Sequence, residues 1–129
     1  MLVQVMTGLR QSGRARVRGQ DEGKRLEVAE LGGELGERAT LVQFSSAFCA
    51  PCRATRRILA EVAGMVLGVT HVEIDAEARL DLVRAWEILE TPTVLVLDVD
   101  GRVVRRAAGQ PRKADVIAAL GEAVRRPCG

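Results

Sequence analysis

The hydrophobic residues of the chain fall into short runs that predict strands. Residues 40–44 (TLVQF) and 69–75 (VTHVEID) are rich in strand formers, as is typical of buried strands. Residues 93–97 and 102–106 flank the pair Asp100-Gly101, which favours a tight turn, and together they predict a hairpin. Residues 24–28 alternate weakly and predict one more short strand, followed by a short helical turn that glycines interrupt.

Three further segments repeat their hydrophobic residues at helical spacing. These segments are 52–65, 78–89 and 113–126. In the second of them, Leu82, Trp86 and Leu89 lie on one predicted face. The order is then strand, helix, strand, helix, strand, strand, helix. Such alternation predicts an α/β fold with a parallel sheet, to which the hairpin adds an antiparallel edge, and with helices on both faces.

The composition limits the size and the class of the protein. The 129 residues favour one domain of ordinary size, and 47% of them are apolar, which is enough for a packed core. Only 2% are aromatic, so the expected core is aliphatic. A formal net charge of +2 argues against a dedicated nucleic-acid binder, because such proteins usually carry a strongly basic face.

Residues 1–20 differ from the rest of the chain in charge. They hold Arg10, Arg14, Arg16 and Arg18 and no acidic residue, which predicts a solvated basic tail ahead of a domain at residues 21–129. A second interpretation takes MLVQVMTGL as the end of a shortened membrane anchor, with the arginines holding the domain on the cytoplasmic side. Under either interpretation nothing in the chain argues for export, so we expect a cytoplasmic protein, which under the second interpretation lies at the cytoplasmic face of the membrane.

The stretch SSAFCAPCRATRR contains two of the three cysteines, Cys49 and Cys52. Cys49 follows a predicted strand and precedes a predicted helix, whose N-terminus carries partial positive charge and favours a thiolate. Cys52 lies one helical turn further on, close enough for a disulfide after a small adjustment. Pro51 fits the first turn of a helix, where its missing amide costs nothing. Cys49 is thus placed to attack a substrate disulfide and Cys52 to resolve the mixed disulfide.

The cysteine pair is also compatible with a structural disulfide, a zinc site or a chance pairing, and these alternatives stay open at this point. A bridge between residues three apart closes too small a loop to stabilise a fold much. Zinc would need Cys128 and His71 as its remaining ligands, and these do not form a second ligand pair. We expect neither a metal nor a cofactor, an incidental role for Cys128, and a solvent-facing position for Arg53, Arg56 and Arg57.

The segments TLVQFSSAFCAPCR, VEID and TPTVLVLDVDGRVVRRAAGQ resemble the thioredoxin family, from about residue 40 to the end and more loosely from residue 21. The resemblance implies a thioredoxin-like three-layer sandwich, in which helices cover both faces of a mixed central sheet. It also implies that the proline of TPT follows a cis peptide bond and lies against the two sulfurs. The substrate groove implied by the resemblance is lined by Phe48, Ala50, Pro51, Thr91, Pro92 and Gly109.

The chain departs from thioredoxin proper around the cysteines. Phe48 stands where thioredoxin has a tryptophan, and Ala50 replaces the glycine between the two cysteines. Gln43 aligns with a buried aspartate that is thought to help deprotonate the resolving cysteine in the family, while Ser45 aligns with a second tryptophan and His71 with a lysine. Because a glutamine does not titrate, we expect another group or the solvent to take that proton.

The cysteine pair and the resemblance together predict a thiol-disulfide oxidoreductase that reduces or exchanges protein disulfides through Cys49 and Cys52. Its expected partners are protein disulfide substrates and an upstream thiol reductant or reductase. We expect a monomer without a nucleic-acid partner, and membrane association only through residues 1–20. The alternative is a binding or adaptor module of the same fold that does not turn over, which would keep its partner after both cysteines are replaced by serine.

Overall fold

A computed structural model of the chain describes residues 25–125. Four strands and four helices lie within this range. In chain order they are α1 (Val28–Leu31), β1 (Ala39–Ser45), α2 (Ala50–Met65), β2 (Val69–Asp75), α3 (Leu80–Ala85), β3 (Thr93–Leu97), β4 (Val103–Ala108) and α4 (Lys113–Arg125). The predicted tail at 1–20, the domain boundary at residue 21 and Cys128 lie outside the described residues.

The four strands form one mixed sheet in the order β2-β1-β3-β4. The pair β1 and β2 is parallel, whereas β1 with β3 and β3 with β4 are antiparallel. The α/β class and the mixed sheet are therefore confirmed. The expectation of a parallel sheet with one antiparallel edge is wrong, because β3 is a central strand and runs antiparallel to both of its neighbours.

The position of β3 follows from the connection that precedes it. Ser45 pairs with Asp75 and Phe44 pairs with Thr93, so β2 ends and β3 begins at the same end of β1. The connecting residues 76–92, which the structure describes throughout, contain one helix, α3, whose 6 residues span about 9 Å. This helix does not carry the chain back to the other end of the sheet, and β3 therefore runs antiparallel to β1.

Side chains of β1 divide the core into two layers, because neighbouring residues of a strand face opposite ways. Leu41 packs on the side of α2 and α4, whereas Val42 and Phe44 pack on the side of α3 with Leu82 and Trp86. The first layer is completed mainly by Leu59, Val62, Val94, Val96, Val116 and Leu120. This places helices on both faces of the sheet, and the same alternation directs Gln43 toward α2.

The strand predicted at residues 24–28 is wrong. Arg25 forms a single bridge with Arg102, and a helix begins at Val28. The carboxylate of Glu30 accepts a hydrogen bond from the backbone N–H of Glu27 at 3.0 Å, and the carbonyl of Glu27 accepts from Leu31. These bonds close a helical turn in the manner of a capping box. The segment therefore forms no strand beyond the single bridge at Arg25.

The helix predicted at residues 78–89 is shorter than expected. It covers Leu80–Ala85, and Glu87 just beyond it has a φ of 52°. The left-handed residue turns the chain so that Trp86 and Ile88 are both buried, while Leu89 is 90% exposed. The prediction that Leu89 belongs to the buried face is therefore wrong.

Candidate active site

The N-terminus of α2 places the two cysteines. Cys49 is the N-cap residue, with an extended backbone, and its sulfur accepts a hydrogen bond from the N–H of Cys52 at 3.2 Å. Pro51 occupies the first turn, where no N–H is needed. Phe48, just before the cap, has a φ of 56° and a fully exposed side chain. The turn at Phe48 thus places Cys49 at the surface, at the start of the helix.

Cys49 and Cys52 form a disulfide across this first turn, with their Cα atoms 5.2 Å apart. The two residues differ in accessibility, since Cys49 is partly exposed and Cys52 is 1% exposed. The sulfur of Cys49 lies 4.0 Å from the carbonyl oxygen of Thr91. It carries no hydrogen in the disulfide, so this is a contact and not a hydrogen bond.

The segment at Thr91-Pro92 meets the cysteine loop, and Gly109 meets that segment in turn. The peptide bond between Thr91 and Pro92 is cis, and the carbonyl of Pro92 accepts a hydrogen bond from the N–H of Gly109 at 2.8 Å. The hydroxyls of Ser46 and Thr91 lie 2.7 Å apart, which joins the cysteine loop to the proline segment. Gly109 has a φ of 88°, a conformation that glycine adopts without strain. The three predicted groove segments are thus linked by hydrogen bonds.

The predicted groove residues differ in how far they reach solvent. Phe48, Ala50 and Pro51 are exposed, Thr91 and Gly109 are half-buried, and Pro92 is buried. Ser46 joins these segments although it is not among the residues predicted for the groove. Nothing in its local pattern marks it, because its partner Thr91 is 45 positions away in the chain.

Gln43 is a buried polar residue directly beneath the first turn of α2. Its side chain is 0% exposed, and its amide nitrogen donates to the carbonyl of Cys52 and to the hydroxyl of Ser45, both at 2.8 Å. A carbonyl oxygen only accepts, so the orientation of the amide is determined. The amide oxygen therefore faces Nε2 of His71 at 3.3 Å, and that ring nitrogen carries a hydrogen.

The residues around His71 form an ion pair between α2 and β2. The guanidinium of Arg56 donates two hydrogen bonds to the carboxylate of Glu73, at 2.8 and 2.7 Å. These bonds are the main reason that the pKa of Glu73 lies below its usual range, with a smaller contribution from Ser45 against the opposing effect of burial. Burial lowers the pKa of His71, the Glu73 carboxylate opposes this shift, and Arg56 adds to it. Nδ1 is then the ring nitrogen that exchanges a proton.

Comparison with known proteins bears on this arrangement. The family model described as Thioredoxin matches residues 27–122. The chain belongs to the thioredoxin family. A thioredoxin of Mycolicibacterium smegmatis is 30% identical over 90 residues, which is 67% of this chain and 80% of that protein. A thioredoxin of Mycobacterium tuberculosis is 28% identical over 88 residues, or 67% of this chain and 75% of that protein.

Solved thioredoxins share the fold at lower identity. The X-ray structure of Fasciola hepatica thioredoxin superposes with a TM-score of 0.61 at 19% identity, covering 74% of this chain and 86% of that one. The oxidized form of mitochondrial thioredoxin 3 from Saccharomyces cerevisiae gives a TM-score of 0.58 at 17% identity, covering 67% and 79%. These similarities establish the thioredoxin-like sandwich that the sequence predicted.

Two of the departures from thioredoxin proper meet in one hydrogen-bonded group. Gln43, which the resemblance aligns with the family's buried aspartate, bonds directly to His71, which the resemblance aligns with the family's lysine. Neither Gln43 nor neutral His71 carries a charge, so a pair of uncharged groups lies where the family pattern has an acid and a base. The charged groups that act on His71 are Glu73 and Arg56, which are paired with each other.

Residues 25–125 contain no cluster of three or more histidine, cysteine or acidic side chains arranged to hold a metal ion. In the same range, no helix combines the length and the hydrophobicity needed to cross a bilayer. The membrane association predicted for residues 1–20 lies outside the described residues.

We expect acid to destabilise the protein partly through His71. Because burial lowers the pKa of His71 in the folded state, the unfolded chain binds a proton more readily as the pH falls below about 6.5. The contribution of neutral His71 to the free energy of unfolding is therefore fully present above that pH, and it is lost as the pH falls through the folded pKa. Urea unfolding at pH 7, 6 and 5 should show a steeper loss for wild type than for His71→Gln, which keeps a donor for Gln43. Parallel losses would contradict this, since His71 is the only histidine of the chain.

Proposed function

We propose that this protein is a thiol-disulfide oxidoreductase that reduces or exchanges protein disulfides through Cys49 and Cys52. The observation that carries the proposal is the unequal exposure of two bonded sulfurs at the start of one helix, where Cys49 is partly exposed and Cys52 is 1% exposed. A large substrate reaches the first sulfur from solvent and does not reach the second. Membership of the thioredoxin family supports the same chemistry.

Cys49 acts as the nucleophile. In the dithiol its thiolate is favoured by the N-terminus of α2 and by the N–H of Cys52, which already points at its sulfur. The thiolate attacks one sulfur of the substrate, the substrate S–S bond breaks, and the departing substrate thiolate takes up a proton. Cys52 then loses a proton and attacks the sulfur of Cys49, which releases the second substrate thiol and leaves the Cys49–Cys52 disulfide.

The surroundings of Cys49 bind the substrate backbone. The carbonyl of Thr91 lies 4.0 Å from the sulfur of Cys49 and is an acceptor for an N–H of an extended substrate segment. The bond between Ser46 and Thr91 positions that carbonyl against the cysteine loop. The exposed ring of Phe48, the residue just before Cys49, offers an apolar contact to the substrate.

Each turnover oxidises the dithiol by two electrons, so the protein needs a reductant to act again. We propose a thiol reductant or reductase upstream. Equilibration of the Cys49–Cys52 pair with glutathione buffers gives the direction of the physiological reaction. A reduction potential near about −270 mV corresponds to a reductant, and one near about −120 mV to an oxidant.

The test is turnover of a protein disulfide, such as those of insulin, in the presence of dithiothreitol. Wild type should accelerate the reduction strongly over dithiothreitol alone, and a variant with both Cys49 and Cys52 replaced by serine should not. Equal rates for the two proteins, together with retained partner binding by the double variant, would establish the adaptor alternative. The cytoplasmic location stays a prediction that cell fractionation can test. The monomeric state stays a prediction that sedimentation can test.

A further inference from the structure

The three arginines of α2 have different surroundings. All three are exposed, as the sequence predicted. Arg56 points toward β2, where Glu73 binds it with two hydrogen bonds. Within residues 25–125, the side chains of Arg53 and Arg57 have neither an ion pair nor a hydrogen bond. Two of the three positive charges are therefore available to another molecule.

Arg53 and Arg57 lie one above the other on the same face of α2. Residues four apart on a helix are neighbours, and two like charges at this spacing repel each other. The acid that continues the same face is Glu61, and it is already bound to Lys113 at 3.1 Å. No acidic side chain of the described residues neutralises the pair, so a partner with negative charge would relieve the repulsion.

This face begins at the redox centre. Cys49, Arg53 and Arg57 follow one another at intervals of four residues, so the two exposed arginines continue the face of α2 on which Cys49 lies. A helix rises about 1.5 Å per residue, which places Arg53 about 6 Å and Arg57 about 12 Å beyond Cys49 along the axis. The two charges form a short line that leads away from Cys49.

The spacing of this line matches an extended peptide. Two residues of a strand cover about 6.6 Å, close to the rise of four helical residues, and alternate side chains of a strand point the same way. If an extended substrate has its cysteine at Cys49 and continues along α2, its residues two and four positions away lie next to Arg53 and Arg57. Carboxylates at these two positions fit the two guanidinium groups in both charge and distance.

We propose that Arg53 and Arg57 are specificity-determining residues that select protein disulfides with acidic side chains two and four positions from the reacting cysteine. The inference rests on the proposed function and deepens it by naming a substrate class. The two arginines take no part in electron transfer. They bind the substrate before Cys49 attacks, and the two electrons still pass from the Cys49–Cys52 dithiol to the substrate disulfide.

The test uses peptides whose single cysteine is joined by a disulfide to thionitrobenzoate, whose release is read by absorbance. Glutamate, glutamine or lysine occupies the positions two and four residues away, in one set before the cysteine and in another set after it. Wild type is reduced first and freed of reductant. At low salt we expect at least one glutamate peptide to react about fivefold faster than its glutamine counterpart, and about 0.5 M salt should remove most of this difference.

Matched variants separate the arginine pair from net charge. In Arg53→Gln/Arg57→Gln the ratio of the glutamate to the glutamine rate should fall to about one, and in Arg53→Glu/Arg57→Glu the lysine peptide should become the fastest. The control is Arg84→Gln, which removes an exposed charge from α3 and should keep the wild-type ratio. Circular dichroism melts check that each variant is folded.

The outcomes distinguish this inference from the function on which it rests. Equal rates for glutamate and glutamine peptides, or a ratio that survives in both arginine double variants, would overturn the specificity while the oxidoreductase function stands. Release no faster than that by the variant lacking both Cys49 and Cys52 would overturn the function itself. A ratio lost equally in Arg84→Gln would assign the effect to net charge and would also reject the proposed site.

Discussion

Replacing Cys52 with serine should reduce turnover by about a thousandfold or more and trap the substrate on Cys49. The exposed sulfur can still attack, but the buried partner that would displace the substrate is gone. The variant should therefore accumulate a stoichiometric mixed disulfide with the substrate. Mass spectrometry of the intact adduct measures its amount, and fragmentation of the tryptic peptide 39–53 locates the bond.

The complementary variant and a control make this assignment testable. Cys49→Ser should lose turnover to the same extent without forming the adduct, because Cys52 is not accessible to a large substrate. Cys128→Ser is the control for the third thiol and should turn over like wild type. An adduct on Cys52, or normal turnover by Cys52→Ser, would show that the roles of the two cysteines are assigned incorrectly.

Replacing Gln43 with aspartate should have two opposite effects, on rate and on stability. Release of substrate requires Cys52 to lose a proton, and Gln43 has no ionisable group to accept it although it bonds to the Cys52 carbonyl. We expect wild type to resolve the mixed disulfide slowly near neutral pH and faster as the pH rises and Cys52 ionises directly. An aspartate at position 43 supplies a base, and resolution near pH 7 should accelerate by about tenfold or more. Stopped-flow measurement from acid to alkaline pH is the test.

The same substitution should cost about 3 kcal/mol of unfolding free energy at pH 7. An ionised aspartate cannot donate to the Cys52 carbonyl or the Ser45 hydroxyl, as the Gln43 amide does, and its charge is buried. Burial raises the pKa of such a carboxyl in the folded state above its unfolded value of about 3.9. The loss of stability should therefore be smaller below that pH and grow as the pH rises.

Gln43→Leu is the matched control, since it removes the same hydrogen bonds without adding a charge. It should also be less stable than wild type, but by an amount that depends little on pH, and it should not accelerate resolution. If wild type and Gln43→Asp resolve equally fast at every pH, position 43 has no part in the proton transfer. The consequence assigned to this departure from the thioredoxin pattern would then be wrong.

The parts of the fold with strong local signals were predictable from the sequence. The apolar run at residues 40–44 and the Asp100-Gly101 turn specify β1 and the hairpin, because burial and turn geometry act over a few residues. The place of β3 in the sheet was not predictable in this way. It depends on the end of the sheet to which the connection after β2 brings the chain. Because α3 ends early, at Ala85, the connection does not cross to the other end of the sheet.

The candidate site shows the same limit. Cys49 and Cys52 are recognisable because their spacing and their position before a helix are local features. Ser46 bonds to Thr91, which is 45 positions away in the chain, and Gln43 contacts His71, which is 28 positions away. No periodicity in a single sequence records contacts between such distant positions. Arg56 differs from Arg53 and Arg57 only through Glu73 on the neighbouring strand.

The burial of Trp86 determines which optical signals the protein offers. The chain has one tryptophan and no tyrosine, and Trp86 is 3% exposed in the core layer beside α3. Its fluorescence therefore comes from a single buried indole, with short-wavelength emission in the native state and a red shift when water reaches the ring. One emission spectrum thus reports the packing of that layer without an added label, and the low absorbance at 280 nm makes peptide-bond absorbance the better measure of concentration.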